Sequence, residues 1–210
     1  MQSLRIITGS NVDLICPFPT SEVKRAFGWM HCYRTITESD DTPQGIDACC
    51  DLMTRQLPLC VSWGMIDKNH LTNINHEAPL VGFGMFEPYL QINGKVRDGR
   101  FHAATARRSW KARIVDEALD MVLKDLFEGL PDLLRVSASI NERNSPMKAL
   151  LKRGGFKCEG FLEDALLYGG APQNLLLYGL TRRRWEAHQI NPTPLAPEPE
   201  VSPSESETKE

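Results

Sequence analysis

The sequence predicts an α/β domain in which a mixed, mainly antiparallel sheet is flanked by helices. Three stretches carry that prediction. From Leu133 to Gly160 the chain reads as strand, Asn turn, short helix, Gly-Gly-Phe and strand. PLCVSWGMI from Pro58 and PLVGFGMFEPYL from Pro79 are a matched pair of apolar strands, followed by turn dipeptides. Ser109 to Glu128 is the strongest helix, with Trp110, Ile114, Ala118, Met121, Val122 and Leu126 on one broad apolar face.

The elements follow in order. Arg5 to Thr8 and Val12 to Cys16 are short first strands. Ser21 is a helix N-cap followed by Glu22, and Val23, Ala26 and Phe27 continue the pattern to Met30. Ile46 to Gln56 is a second helix, with Ile46, Cys49, Cys50 and Met53 on one stripe. After the Pro58 strand comes a polar loop, and the Pro79 strand ends at Pro88 or shortly after. Asn93-Gly94 and Asp98-Gly99 are both turn signals, so a hairpin leads into a strand from Phe101 to Ala106.

Gly129 and Pro131 end the long helix. Leu134 to Ile140 then reads as a strand buried on both faces. Ser145 is an N-cap with Pro146 at the first helical position, and Gly154 and Gly155 end that helix through the left-handed conformation. Phe156 to Tyr168 and Asn174 to Leu180 are the last strands, joined through Gly169-Gly170-Ala171-Pro172.

With 210 residues, 41% of them hydrophobic, the chain can bury one sizeable core. A single domain over 1–187 and a disordered Pro/Glu/Ser-rich tail over 188–210 are expected. A net charge of −3 points to neither nucleic acid nor membrane as a partner. No signal-peptide core or membrane span is read, and a cytoplasmic location is expected. The six cysteines lack C-x-x-C spacing, so no metal site is expected. His31 and Cys32 are sequence neighbours that point apart in regular structure, so Cys32 reads as a small hydrophobe.

Asn141 closing a strand, Asn144 three residues later and GGFKCEG after the helix resemble the C-terminal half of the GNAT superfamily of N-acetyltransferases. The resemblance is strongest to the branch that acetylates ribosomal-protein and other protein N-termini, and it spans Pro58 to Trp185. It implies a sheet with splayed fourth and fifth strands, acetyl-CoA as co-substrate, and a primary amine as acceptor, either a small molecule or a protein N-terminus. It also puts the pyrophosphate at the N-terminus of the long helix, where unpaired amides and the helix dipole attract an anion.

Aligned with the family form W-G-K-G-I-A-x-E-A, the stretch WKARIVDEA keeps Trp110, Ile114, Glu117 and Ala118. It replaces the glycines with Lys111 and Arg113, and the small residue with Val115. The cofactor positions implied are Ala104, Ala106, Lys111, Ala112, Arg113, Ile114, Val115, Asn141 and Asn144. Two readings stay open. Either Lys111, Arg113, Arg107 and Arg108 hold phosphates through long side chains, or the pocket has been lost and the charges are solvated. Asn141 and Asn144 serve the cofactor arm or the turn.

Acyl transfer to an amine needs a neutral amine, a donor for the oxyanion and a proton for the leaving thiolate. The resemblance supplies the donor as a backbone N–H within Ala103 to Ala106. Its usual tyrosine is replaced by Leu151, leaving Tyr168 or Tyr178 as substitutes. His102 is either the general base or a satisfied sheet histidine, with Glu87 and His76 as further candidates. Arg182, Arg183 and Arg184 read as a solvated strand end. The alternative function is a non-catalytic GNAT-like structural or interaction protein; some tailed-phage virion proteins look like such degenerate relatives.

Overall fold

The computed structural model describes residues 4–23, 50–51, 54–55, 57–68, 80–105, 113–168 and 171–190. Eight strands form one sheet: β1 (Arg5–Thr8), β2 (Val12–Cys16), β3 (Val61–Asp67), β4 (Leu80–Ile92), β5 (Lys95–Thr105), β6 (Arg135–Asn141), β7 (Lys157–Tyr168) and β8 (Ala171–Thr181). Three α-helices are described in full: α1 (Ile114–Gly129), α2 (Ser145–Arg153) and α3 (Arg182–Ile190). The strand order is β1-β2-β3-β4-β5-β6-β8-β7, so β8 lies inside β7.

Neighbouring strands are antiparallel except at one place. Helix α1 carries the chain from β5 to β6, and these two pair in parallel, as a helical crossover requires. Their register covers Asp98 with Arg135, Gly99 with Val136 and Arg100 with Ser137, and stops there. Both strands continue, β5 to Thr105 and β6 to Asn141. The sheet is therefore split beyond Arg100. This is the splay expected of the fourth and fifth strands, which become β5 and β6 because β1 and β2 are separate strands.

Apolar residues alternate to the two faces and build two clusters. Leu119 and Leu123 of α1 and Leu151 of α2 pack with Trp63, Phe101 and Val136 of the sheet; on the opposite face lie Phe18, Leu57, Cys60, Phe83, Met85 and Ala104. Phe18 and Phe83 meet edge to face at 4.8 Å between centroids. Asp125 of α1 ties the first face together. Its carboxylate accepts from Arg5 Nη1 at 2.5 Å, Arg5 Nη2 at 2.6 Å and Trp63 Nε1 at 2.9 Å.

Several local expectations need correction. Only Asn93-Gly94 is a turn: both residues have positive φ, 53° and 72°, the geometry of a two-residue hairpin. Asp98-Gly99 lies inside β5, where a Cβ on residue 99 would sit inside contact distance of the Phe86 ring and 2.7 Å from the Glu87 carbonyl oxygen. Strand β4 passes through Pro88 with register shifts on either side of Leu90 and ends at Ile92. Leu57–Leu59 is a 3-10 turn, so β3 begins only at Val61.

Strand β6 is not buried on both faces. Val136, Ala138 and Ile140 are buried while the residues between them are half-exposed. The cap of α2 is Asn144 rather than Ser145: its Oδ1 accepts the Met147 N–H at 3.2 Å, which puts Ser145 at the first helical position. The expected left-handed residue after α2 is Gly155, at φ 82°. The arginine triplet is not a solvated strand end but opens α3. Arg182 Nη2 donates to the Phe127 and Leu130 carbonyls, both at 2.8 Å, and its Nε to Leu133 at 2.9 Å. Trp185 stacks on Phe127 at 4.9 Å.

Helix α3 runs to Ile190, three residues beyond the expected boundary. Thr20–Glu22 is a 3-10 turn with Pro19 as its cap. Most of the two helices expected over 21–30 and 46–56, and the tail from 191, lie outside the described residues; within the second, Thr54 Oγ1 donates to the Cys50 carbonyl at 2.8 Å.

Candidate functional site

Where β5 and β6 part, β5 loses its parallel partner. Successive residues of a strand direct their N–H groups to alternate edges, so part of the Phe101–Thr105 backbone faces the gap rather than a neighbouring strand. Beside the gap is a cleft between β5, α1 and α2, with an empty volume of about 940 Å³ including its open mouth. Its walls are mostly apolar. Phe101 and Ala103 of β5 belong to the cluster beneath α1, whereas Phe83 and Ala104 belong to the opposite one, and all four line the cleft. The cleft thus reaches the split in the sheet itself.

Three expected cofactor positions line it: Ala104, Val115 and Asn144. Ile114 is buried in the core instead. Arg113 is exposed as the residue capping α1, without a side-chain cap bond. Asn141 closes β6, and its Oδ1 accepts the Arg143 N–H at 2.8 Å, the turn role of the two considered for it. Ala106, Lys111 and Ala112 lie outside the described residues, as do Arg107, Arg108 and His76.

His102 does not line the cleft. It follows Phe101 on β5 and faces the other side of the sheet, opposite Met85, with Nε2 3.5 Å from Glu87 Oε2. Burial holds its imidazole below the usual value, and Arg100 pushes the same way against the pull of Glu87. The ring is therefore neutral at pH 7. On the same face, burial and the Glu87 carboxylate push the Cys60 thiol up to about 11, which keeps it protonated. Tyr178 is also absent from the cleft wall: it is 3% exposed, packed in the core beneath the helices, and burial raises its phenol. The side chain of Tyr168 lies outside the described residues.

Sequence reading missed Asp116, Pro146, Met147, Leu150 and Arg153 as lining residues. The last four share a face of α2 at helical spacing, and that stripe was the available signal. Asp116 of α1 and Arg153 of α2 form an ion pair, Nε to Oδ1 at 2.6 Å. Glu117, the next residue, accepts from the Ser10 amide, from the Asn11 amide at 3.2 Å and from Asn11 Nδ2 at 2.9 Å. Both carboxylates in the first turn of α1 are therefore engaged within the protein.

No family model matches the sequence, and no curated protein does. Solved structures do match. The ribosomal-protein-S5-alanine acetyltransferase of Vibrio fischeri superposes with a TM-score of 0.64 at 16% identity, over 86% of this chain and 98% of that one. Mycobacterium smegmatis RimJ in complex with CoA-disulfide gives 0.64 at 18% identity, over 89% and 91%. A spermidine N-acetyltransferase chimera from Vibrio cholerae and hSSAT gives 0.66 at 13% identity, over 84% and 99%. The fold of this chain is that of the GNAT acetyltransferases.

Proposed function

We propose that the chain is an N-acetyltransferase that takes its acyl group from acetyl-CoA and delivers it to a primary amine, with a protein N-terminus as the favoured acceptor class and the cytoplasm as its location. The observation that carries this reading is the parting of β5 and β6 directly beside an apolar cleft. An extended amide-bearing arm fits such a gap, because the freed edge of β5 offers it backbone partners and the cleft shields it from water.

Acetyl-CoA would supply an activated thioester there, and the remaining work falls to this chain. Ala104, Val115 and Asn144 wall the arm. A β5 amide within Ala103 to Thr105 donates to the carbonyl oxygen as charge develops on it. His102 stands on the face of β5 away from α1 and α2, so an amine approaching from that face meets a neutral imidazole able to take its proton. Glu87 holds that imidazole across 3.5 Å. Lys111 and Arg113 replace the missing glycines with charge at the phosphate end.

A second reading rests on those same substitutions. Lys111, Arg113 and Val115 stand where a phosphate loop needs small residues, which favours a chain that keeps the fold and has lost turnover. The two readings separate in one assay: acetyl-CoA with a panel of peptides, polyamines and small amines, following release of CoA thiol and the mass of each acceptor. Amine-dependent thiol release with an acetyl mass gain supports the enzyme. Absence of release across the panel, together with no acetyl-CoA binding, overturns it.

A further inference from the structure

Among the described residues lining the cleft, Asp116 and Arg153 are the charged ones, and they face each other from α1 and α2. We infer that Arg153 is a phosphate-binding residue that makes the cleft select a phosphate-bearing acyl carrier, CoA, over the same arm without phosphates, with Asp116 as the positioning residue behind it. This rests on the acetyl-CoA reading of the cleft.

The chemistry of the pair supports the assignment. The contact to Asp116 uses Nε at 2.6 Å, and the two terminal Nη groups, which carry four of the five guanidinium N–H donors, lie outside that contact. Asp116 thus fixes one edge of the fork and leaves the other for an anion, the arrangement in which arginine binds phosphate with direction as well as charge. The pair is partly exposed, 37% for Arg153 and 28% for Asp116. Such an ion pair adds little to folding, so stability alone does not account for a cation in an otherwise apolar cleft.

The rest of α1's first turn is consistent with an anion nearby. Asp116, which would repel a phosphate at the helix N-terminus, is paired with the Arg153 cation, and Glu117 is directed to the β1–β2 turn, where it accepts from the Ser10 and Asn11 amides. Packing of α2 on α1 has its own basis: Gly154 lies so near Leu119 that a Cβ there would come within 2.7 Å of its side chain.

The test compares CoA with pantetheine, the same arm lacking phosphates, by calorimetry on the wild-type chain, Arg153→Met and Arg153→Lys. The expectation is that Arg153→Met weakens CoA by about tenfold, pantetheine stays within about twofold, and Arg153→Lys recovers part of the loss as a point charge without the fork. CoA binding of the wild type should also weaken with salt more steeply than that of Arg153→Met. A CoA preference unchanged in both variants, or lost equally for CoA and pantetheine, overturns the phosphate role while leaving the acetyl-CoA reading intact. A wild-type chain that binds neither ligand overturns both. Should Arg153→Met not fold, the same comparison between wild type and Arg153→Lys decides.

Discussion

His102 shows how far a single residue's environment carries a functional argument. Its type and its place on a strand made it a candidate, but its ionisation depends on neighbours that are distant in sequence. Burial lowers its pKa below the ordinary 6.5, and Arg100 adds to that, so the free base is the favoured form at pH 7. If it accepts the amine's proton, kcat/KM should rise with pH through an inflection below 6.5. His102→Gln should remove that inflection and lower kcat by roughly 10²-fold. A pH–rate profile on both forms checks this; an unchanged profile returns His102 to a packing role. The same shift acts on stability with a definite sign. Below the unfolded value the unfolded chain binds the proton more readily, so stability from this site is present above about pH 6.5 and is lost as pH falls through the lower folded value.

At this scale the candidate site was partly legible in the sequence. Asn144 was found because Ser145-Pro146 marks a helix start, and Ala104 and Val115 because the long helix and the strand before it set the frame of the resemblance. The Asp116–Arg153 pair was not, since its partners are 37 residues apart and each alone looks like a solvated helix charge. Tyr178 lies away from the cleft wall for a related reason: strand pairing decides which face a tyrosine takes, and its partner Ala138 faces the core.

Among the elements, α1 is held along its C-terminal half by side chains from distant parts of the chain. At its C-terminus Arg182 donates to the Phe127, Leu130 and Leu133 carbonyls, of which that of Leu130 also accepts the Leu133 N–H, and lies 5.1 Å over the Phe127 ring. Arg182→Ala is expected to lower unfolding free energy by roughly 2–3 kcal/mol, measured by urea titration, with Arg182→Lys recovering little because the fork is lost. Towards the middle of the helix, Asp125 is the acceptor for the Trp63 indole, and Trp63 is fully buried. Asp125→Ala strands that donor, at a cost of about 1–3 kcal/mol from the indole alone, whereas the exposed part of the Arg5 bridge adds little. Equal urea midpoints for Asp125→Ala and the wild type would refute this account. Element existence was largely visible in the sequence because apolar periodicity and Gly or Pro punctuation are local. Element ends were not. Asp98-Gly99 looks like a turn, yet close approach of Phe86 rather than chain reversal dictates the glycine. The arginine triplet looks solvated until α1's open carbonyls are placed beside it.

For the molecule as a whole, the decisive feature is that one sheet is built as two blocks, β1 to β5 and β6, β8 and β7, joined by three registered residue pairs and by α1 packed across both. Such a seam leaves backbone on both sides of the gap without strand partners, so a ligand seated there should tie the blocks together. Two measurements then move in concert. Acetyl-CoA at about a hundred times its Kd should add roughly 2.7 kcal/mol to the stability of the folded chain, which for a domain of this size raises Tm by roughly 5–10 °C. Amide exchange should slow most in β5 from Phe101 to Thr105 and in α2, which border the cleft, and little in β1 or in the β7–β8 hairpin away from the seam. A rise in Tm with protection spread evenly over the chain would mean that the ligand binds elsewhere. Protection confined to the seam, but without turnover on any amine, would leave a carrier-binding GNAT fold whose chemistry has been lost, because filling the gap requires only the split sheet, whereas acyl transfer as proposed also needs a base such as His102 to meet an amine from the opposite face.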